Sequence, residues 1–250
     1  MIEARQIEPS PVSRAVSQVL SEGWTIFEGV YPQDEVDFFR NILVEGWKSV
    51  GSPPLKADSR RPLASNIDVG PTGMAVLELT KRHAEAASRL FKPIIVETLR
   101  GVLGRDMRCE LAAGMLSDFD RPFFDWHIHT DGIDDARIGY KRQYRRFTRA
   151  ERVTTLLYLD DINDDNGTLL IYPRKVDDPT EPPYDVRQHD WDGMVELRCR
   201  RGSFVILEQN TWHAVRPKRV PGLRTFVGCF FAAADATPSP LSESPLPLLP

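Results

Sequence analysis

The segment Phe123-Phe124-Asp125-Trp126-His127-Ile128-His129-Thr130-Asp131-Gly132 concentrates side chains able to do chemistry. His129 and Asp131 are two positions apart, and on an extended strand such side chains project from one face. An imidazole and a carboxylate so placed can share a metal ion. His213, in Trp212-His213-Ala214-Val215, follows the strand-like run 202–207 and offers a third ligand. Two histidines and one carboxylate on one side of an ion leave its other side open, which is the arrangement of non-haem iron(II) oxygenases. The open positions would admit a co-substrate and dioxygen. The plain alternative for an H-x-D tripeptide is a polar strand end at a surface turn.

Arg224 shifts that balance. It lies eleven residues beyond His213 and opens the apolar run Arg224-Thr225-Phe226-Val227-Gly228-Cys229-Phe230-Phe231. An arginine buried among such residues needs an anionic partner, because an unpaired buried charge is costly. A dicarboxylate could pair with it in bidentate fashion. The alternative is an arginine at the strand start facing solvent. His127 precedes His129 by two, so His127, His129 and Asp131 could all share one strand face. The reading adopted is metal binding by His129, Asp131 and His213, since it retains a carboxylate. His127 then becomes a neighbour of the metal or of the substrate, and Trp126 either lines the pocket or belongs to the core. Of the five histidines, His83 and His189 read as surface residues.

Between this segment and the next strand lies a basic, aromatic stretch. It holds Arg137, Lys141, Arg142, Arg145, Arg146, Arg149 and Arg152, with Tyr140, Tyr144 and Phe147 interleaved. It could form a lid for an anionic substrate, with Arg137 and Tyr140 as contacts. Its plain alternative is a solvated loop whose charges pair locally. The stretch 176–192 is acidic and Pro-rich and is expected to connect two strands, where it could face the basic stretch across a pocket mouth.

The elements that must hold these residues fall into two halves. Residues 1–105 read as a mainly helical buttress. Ser10-Pro11 starts a helix with Val12, Ala15, Val16, Val19 and Leu20 on one face, and Gly23 ends it. A short strand over 24–30 precedes a second amphipathic helix bearing Val36, Phe39, Leu43 and Trp47. Residues 49–73 read as a long Gly-, Ser- and Pro-containing loop. A third helical region spans 77–103, broken at Pro93. Residues 106–235 show seven or eight short strands separated by turn signals, as in a sandwich or barrel. Helices followed by antiparallel strands predict an α+β arrangement, helices packed on one face of a β-roll. The whole of 1–235 is expected to be one catalytic domain, and 236–250 a mobile Pro/Ser-rich tail.

Composition sets the outer limits. The 250 residues are 41% hydrophobic, enough for a substantial core, and carry a formal net charge of −4. A mildly acidic chain is not that of a dedicated nucleic-acid binder. No apolar run of about 18 residues or more is present, so no membrane helix is expected. The first residues lack a secretory signal pattern. The three cysteines, Cys109, Cys199 and Cys229, form no C-x-x-C pair, which argues against a disulfide framework or a thiolate zinc site and for a reducing cytoplasm.

From about residue 107 to 231 the chain resembles the Fe(II)- and 2-oxoglutarate-dependent dioxygenases. The resemblance lies in His129-Thr130-Asp131, in the strand 152–161 containing Leu157-Tyr158-Leu159-Asp160, in Asn166-Gly167-Thr168-Leu169, and in His213 with Arg224. The Leu-Tyr-Leu-Asp strand with Asn-Gly-Thr-Leu is similar to the prolyl-4-hydroxylase branch. The His213-to-Arg224 spacing and Glu22-Gly23-Trp24 before a helix are similar to the phytanoyl-CoA dioxygenase branch. The resemblance implies a double-stranded β-helix (jelly-roll, cupin-like) core, Fe(II) held by His129, Asp131 and His213, and 2-oxoglutarate chelating that iron. Its far carboxylate would pair with Arg224, with Tyr158 as a second donor. Trp126-His127 also resembles the Trp-His of the phytanoyl-CoA branch. In that register His127 is a ligand and His129 stands where the carboxylate belongs. The expected activity is hydroxylation of a small, possibly anionic, metabolite using O2, with release of succinate and CO2; the oligomeric state stays open. The competing readings are a protein or peptidyl hydroxylase, a cupin-like binding module without turnover, and a zinc hydrolase in which Arg224 would have no role. Asp131, if a ligand, argues against halogenation, where related enzymes leave room for chloride.

Overall fold

The computed structural model describes residues 9–119, 121–129 and 146–239. The first helix, α1 (Pro11–Glu22), begins where its cap chemistry places it. Ser10 Oγ accepts a hydrogen bond from the Ser13 N–H at 3.1 Å, Pro11 occupies the first turn, and Gly23 closes the helix in the left-handed conformation with φ 82°. The strand β1 (Trp24–Phe27) follows, then α2 (Gln33–Ser49), whose Val36, Phe39 and Leu43 are fully buried. Burying each large side chain of this kind contributes about 1.5–3 kcal/mol.

The next stretch departs from the sequence reading. Residues 49–73 are not one long loop. They contain β2 (Arg61–Ala64) and β3 (Ile67–Gly70), which pair antiparallel and continue into β4 (Gly73–Val76). These strands are four residues each, and β2 has no buried–exposed alternation, so no period-two signal marks it. The helical region divides into α3 (Leu79–Arg82), α4 (Ala86–Leu90) and α5 (Pro93–Leu103), with Pro93 at the first turn of α5. The N-terminal part is therefore mixed rather than mainly helical.

The remaining strands are β5 (Arg108–Ser117), β6 (Phe124–His127), β7 (Arg152–Tyr158), β8 (Leu169–Tyr172), β9 (Val195–Leu197), β10 (Phe204–Glu208), β11 (Trp212–Val215) and β12 (Arg224–Ala232). They form two antiparallel sheets. The larger runs β1-β10-β7-β12-β5-β4-β3-β2 and the smaller β6-β11-β8-β9. Leu156, Tyr158, Val205 and Leu207 of the larger sheet meet Leu169, Ile171 and Leu197 of the smaller in one cluster, which is the interior of the roll. The opposite face of the larger sheet carries Val153, Leu157, Phe204, Ile206, Val227, Cys229 and Phe231 and packs against the helices. Gly114 permits this contact: a Cβ there would lie 2.0 Å from a Leu43 methyl of α2. The outer face of the smaller sheet carries a third cluster, Trp126, Trp191 and Trp212 with Leu170 and Ala214. The expected α+β jelly roll with helices on one face is thus present. Among the described residues no helix is long and apolar enough to cross a membrane.

Candidate functional site

Strand alternation decides which side chains enter the roll. On β12, Arg224, Phe226, Gly228 and Phe230 point inward while Val227, Cys229 and Phe231 face the helices. On β11, His213 points inward while Trp212 and Ala214 face outward. His127 of β6 is the direct cross-strand partner of His213. Beyond β6 the chain crosses to the turn after β10, where the His129 N–H donates to the Gln209 carbonyl at 2.9 Å.

These pairings bring three imidazoles together. Ligand atoms of His127, His129 and His213 all lie within 4.8 Å of one another. The Nε2 atoms of His129 and His213 are 3.1 Å apart. Ring centroids are separated by 4.2 Å for His127 and His213 and by 5.0 Å for His127 and His129, the latter pair perpendicular. Two of the tautomers follow from their partners. Nδ1 of His127 lies 2.8 Å from the Asp125 carbonyl and Nδ1 of His213 lies 2.9 Å from the Thr211 carbonyl. A carbonyl only accepts, so each Nδ1 carries the proton and each neutral ring presents a bare Nε2. Burial, with His127 alongside, holds the His213 pKa well below the usual imidazole value. The cluster is thus a set of converging nitrogen donors, suited to a divalent metal.

His127 is therefore part of the cluster, not merely its neighbour. Asp131, Arg137 and Tyr140 lie outside the described residues. Of its two alternatives Trp126 takes the core one: its ring lies in the cluster on the outer face of β6, stacked on Trp191 at 4.2 Å, rather than against the histidines. His189 stacks on Phe123, and His83 borders a shallow surface hollow beside α2; neither joins the cluster. The acidic stretch 176–192 packs over the smaller sheet, where Trp126 donates through its backbone N–H to Val186 and through Nε1 to Gln188. In the basic stretch, Arg149 pairs with Asp235 and Arg152 with Glu110, so two of its cations have acids within the chain.

The interior end marked by Arg224 has the opposite character. Arg224 is 3% exposed, its Nε has no partner, and no carboxylate pairs with it among the described residues. Its guanidinium lies 5.4 Å from the Tyr158 ring centroid and 5.5 Å from that of Phe226. Burial pushes the Tyr158 hydroxyl up to about 12, with the adjacent Arg224 pulling the other way, so this phenol stays protonated and able to donate. A second buried arginine, Arg121, was not singled out from sequence. It donates to the carbonyls of Pro122 and Arg216, and its Nε has no partner. Burial and the nearby Arg224 lower its pKa to about 9. Gly167 makes room for it: a Cβ there would lie 2.3 Å from Arg121 Nη2 and from the Arg216 carbonyl oxygen. Between this cationic end and the histidines, Gly228 of β12 faces Ala113 of β5. The nearest sequence signals for Arg121 are the turn Asp118-Phe119-Asp120-Arg121-Pro122, which reads as a solvated connection.

The comparisons with known proteins agree with this construction. Residues 21–226 match the family model described as phytanoyl-CoA dioxygenase (PhyH). No curated protein matches the chain. Among solved structures, the chain is similar to SnoK, a non-heme alpha ketoglutarate dependent carbocyclase from nogalamycin biosynthesis, at 19% identity and TM-score 0.66, covering 93% of this chain and 87% of that one. It is also similar to HygX from Streptomyces hygroscopicus with nickel and 2-oxoglutarate bound, at 14% identity and TM-score 0.65, covering 92% and 90%. A third is SnoN, a non-heme alpha ketoglutarate dependent epimerase from the same biosynthesis as SnoK, at 13% identity and TM-score 0.64, covering 93% and 87%. At these identities the structures speak for a shared fold, while the family match extends from the end of α1 into β12. The histidine-bearing roll, its buried arginine and that match together make this chain a member of the phytanoyl-CoA dioxygenase family.

Proposed function

We propose that this protein is an Fe(II)- and 2-oxoglutarate-dependent oxygenase that hydroxylates a small-molecule metabolite. The observation that carries the reading is the pairing, within one roll, of converging imidazoles with a buried, acid-free arginine end. The donor set suits iron(II), and the orphaned Arg224 Nε suits the far carboxylate of 2-oxoglutarate. Relatives in fold support the same groups: HygX has been solved with iron bound and with nickel and 2-oxoglutarate bound. When bound, the iron and 2-oxoglutarate supply the oxidising chemistry, in which dioxygen is consumed and succinate and CO2 are released.

The chain's own residues would bind, orient and enclose. Arg224 would pair with the far carboxylate, neutralising a charge that costs much while unpaired. Tyr158 would donate its hydroxyl to the same group. Arg121 would add a second positive charge at that end and favour a dicarboxylate over a neutral or monoanionic 2-oxo acid. Leu156, Phe226 and Phe230 would keep water from the interior between the two ends. His213 belongs to every metal-ligand set the sequence offers. No side-chain general base is required, and Tyr158 with its raised pKa is a donor only.

A small-molecule substrate is supported by the fold relatives, since one HygX structure holds hygromycin B. Two others are described as a carbocyclase and an epimerase, so the roll is compatible with outcomes beyond hydroxylation. The test is to incubate the protein with Fe(II), 2-oxoglutarate and panels of anionic and neutral metabolites, measuring succinate and product mass. Succinate release with a gain of one oxygen in the product is the expected result. Absence of 2-oxoglutarate binding in the metal-loaded protein would overturn the reading.

A further inference from the structure

The register of the histidines carries an inference about the metal centre itself. The arrangement met in facial-triad oxygenases uses two histidines and one carboxylate. Here the three side chains brought together on the described residues are all imidazoles, and no carboxylate joins the cluster among those residues. His127 and His213 face each other across adjacent antiparallel strands, with their rings 4.2 Å apart. His129 is two residues beyond His127 and enters from the same side, its Nε2 3.1 Å from that of His213. In the Trp-His register, position 129 is where the carboxylate would stand.

The hydrogen-bond geometry strengthens the case. The carbonyls of Asp125 and Thr211 fix the protons of His127 and His213 on Nδ1, so both rings aim bare Nε2 lone pairs inward. Nε2 of His129 can donate its proton to the bare Nε2 of His213 at 3.1 Å, and a divalent ion could replace that proton. Backbone carbonyls that orient ligand imidazoles in this way are the usual support of a metal-binding histidine. The His129 ring is held edge-on to Phe230 at 5.2 Å, which fixes its plane from the opposite wall.

We propose that the metal ion of this protein is held by three imidazoles, His127, His129 and His213, with His129 in the carboxylate's place. The inference rests on the metal-dependent part of the proposed function and not on its substrate. Three neutral ligands leave the full double positive charge on a divalent ion, where a carboxylate would halve it. With Arg121 and Arg224 at the other end, the roll would be cationic throughout until a dianionic co-substrate enters.

The test uses the full chain loaded with Co(II) or Ni(II), which reads the ligand set without turnover. Metal affinity is measured by competition with a chromophoric chelator for His127→Ala, His129→Ala, His213→Ala, His129→Asp and Asp131→Ala. Each alanine exchange of a histidine is expected to weaken binding at least as much as loss of a ligand-orienting group does, about 10- to 100-fold. His129→Asp is expected to recover most of the loss, and Asp131→Ala to stay within about threefold of the parent, inside the range in which a ligand is not lost. X-ray absorption on the Co(II)-loaded parent protein, which needs no variant to fold, is expected to count three imidazoles. Two imidazoles and a carboxylate in that spectrum, or a loss in Asp131→Ala equal to that in His213→Ala with His127→Ala unchanged, would overturn the proposal. Three imidazoles in a protein that fails to bind 2-oxoglutarate would uphold the ligand set and overturn the oxygenase reading alone.

Discussion

Two pairs of arginines, all buried except the half-buried Arg108, are treated in opposite ways by this fold. Arg108 and Arg152 share the carboxylate of Glu110, at 3.1 and 3.2 Å. Glu110 is fully buried, and its Oε1 also accepts from the Ser239 N–H. The remaining guanidinium hydrogens of this pair reach the carbonyls of Ala233, Ala234, Ala236 and Thr237. Arg121 and Arg224 have no such acid among the described residues, and both leave Nε without a partner. The chain thus possesses the means to neutralise a buried arginine and does so at one end of the roll. At the other end the described residues supply no acid, so an anion bound there would relieve a costly buried charge.

The contrast is open to breakage from both sides. Replacing Glu110 by Gln leaves Arg108 and Arg152 with carbonyls alone, and is expected to destabilise the fold by about 3–5 kcal/mol. Urea unfolding measures this, and a loss below about 1 kcal/mol would show that carbonyls suffice, in the range of ordinary neutral hydrogen bonds. Arg224→Met removes a cation that has no acid to lose. It is expected to weaken 2-oxoglutarate binding to the Ni(II)-loaded protein by at least about 30-fold, near 2 kcal/mol, while leaving the ligand-free unfolding midpoint no lower. Calorimetric titration and a melting curve read both, and an unchanged affinity would remove the role given to Arg224. Arg121→Gln, which keeps a donor but not the charge, is expected to cost about tenfold in the same titration, near 1.4 kcal/mol. It should also narrow the preference for 2-oxoglutarate over a 2-oxo monocarboxylate; an unaltered preference would make Arg121 a purely structural bond to its two carbonyls.

Glu208 shows a third treatment of a buried charge and gives the smallest effect. It lies on the helix-facing side of β10, and its Oε2 accepts from the Asn210 N–H at 2.8 Å while Oε1 has no partner. Burial raises its pKa to about 8, with the Asn210 N–H acting in the opposite direction. Between the ordinary carboxylate value and about 8, the folded chain keeps a proton that the unfolded chain has released. Stability from this group is therefore full at acidic pH and falls as pH rises through that window. Melting temperatures at pH 5 and pH 8 should differ less in Glu208→Gln than in the parent, and an equal difference would show that another group sets the slope.

Much of the site could be read from residue types and spacing, and the remainder is tertiary. The His213-to-Arg224 spacing, the apolar strand after Arg224 and the turn at Asn166-Gly167 are local patterns, and each occupies the expected element. The three-residue cluster is different. Strand alternation allows His127, His129 and Asp131 one common face, and preference for a carboxylate favoured the last two. What brings His127 in is its pairing with His213, a contact between positions 86 residues apart. Arg121 was missed for a similar reason, since a turn before proline gives no sign of burial until Gly167 and the Arg216 carbonyl meet its guanidinium. Trp126 was uncertain because its side of β6 depends on which sheet face becomes the interior. The strands β2 and β3 were hidden in a Gly- and Pro-containing stretch, where four-residue edge strands have no alternation to display.

The same alternation that points His127 and His213 inward sends Trp126 and Trp212 outward, each one residue from a histidine of the cluster. Trp191 bridges them, stacked on Trp126 with an interplanar angle of 13° and 5.6 Å from Trp212. Closely stacked indoles share their excited states, and emission from such a group responds to small changes in the strands that carry it. The outer face of the smaller sheet is thus expected to act as an optical reporter: ion entry at the histidines should change intrinsic fluorescence, with no label attached and no substrate known.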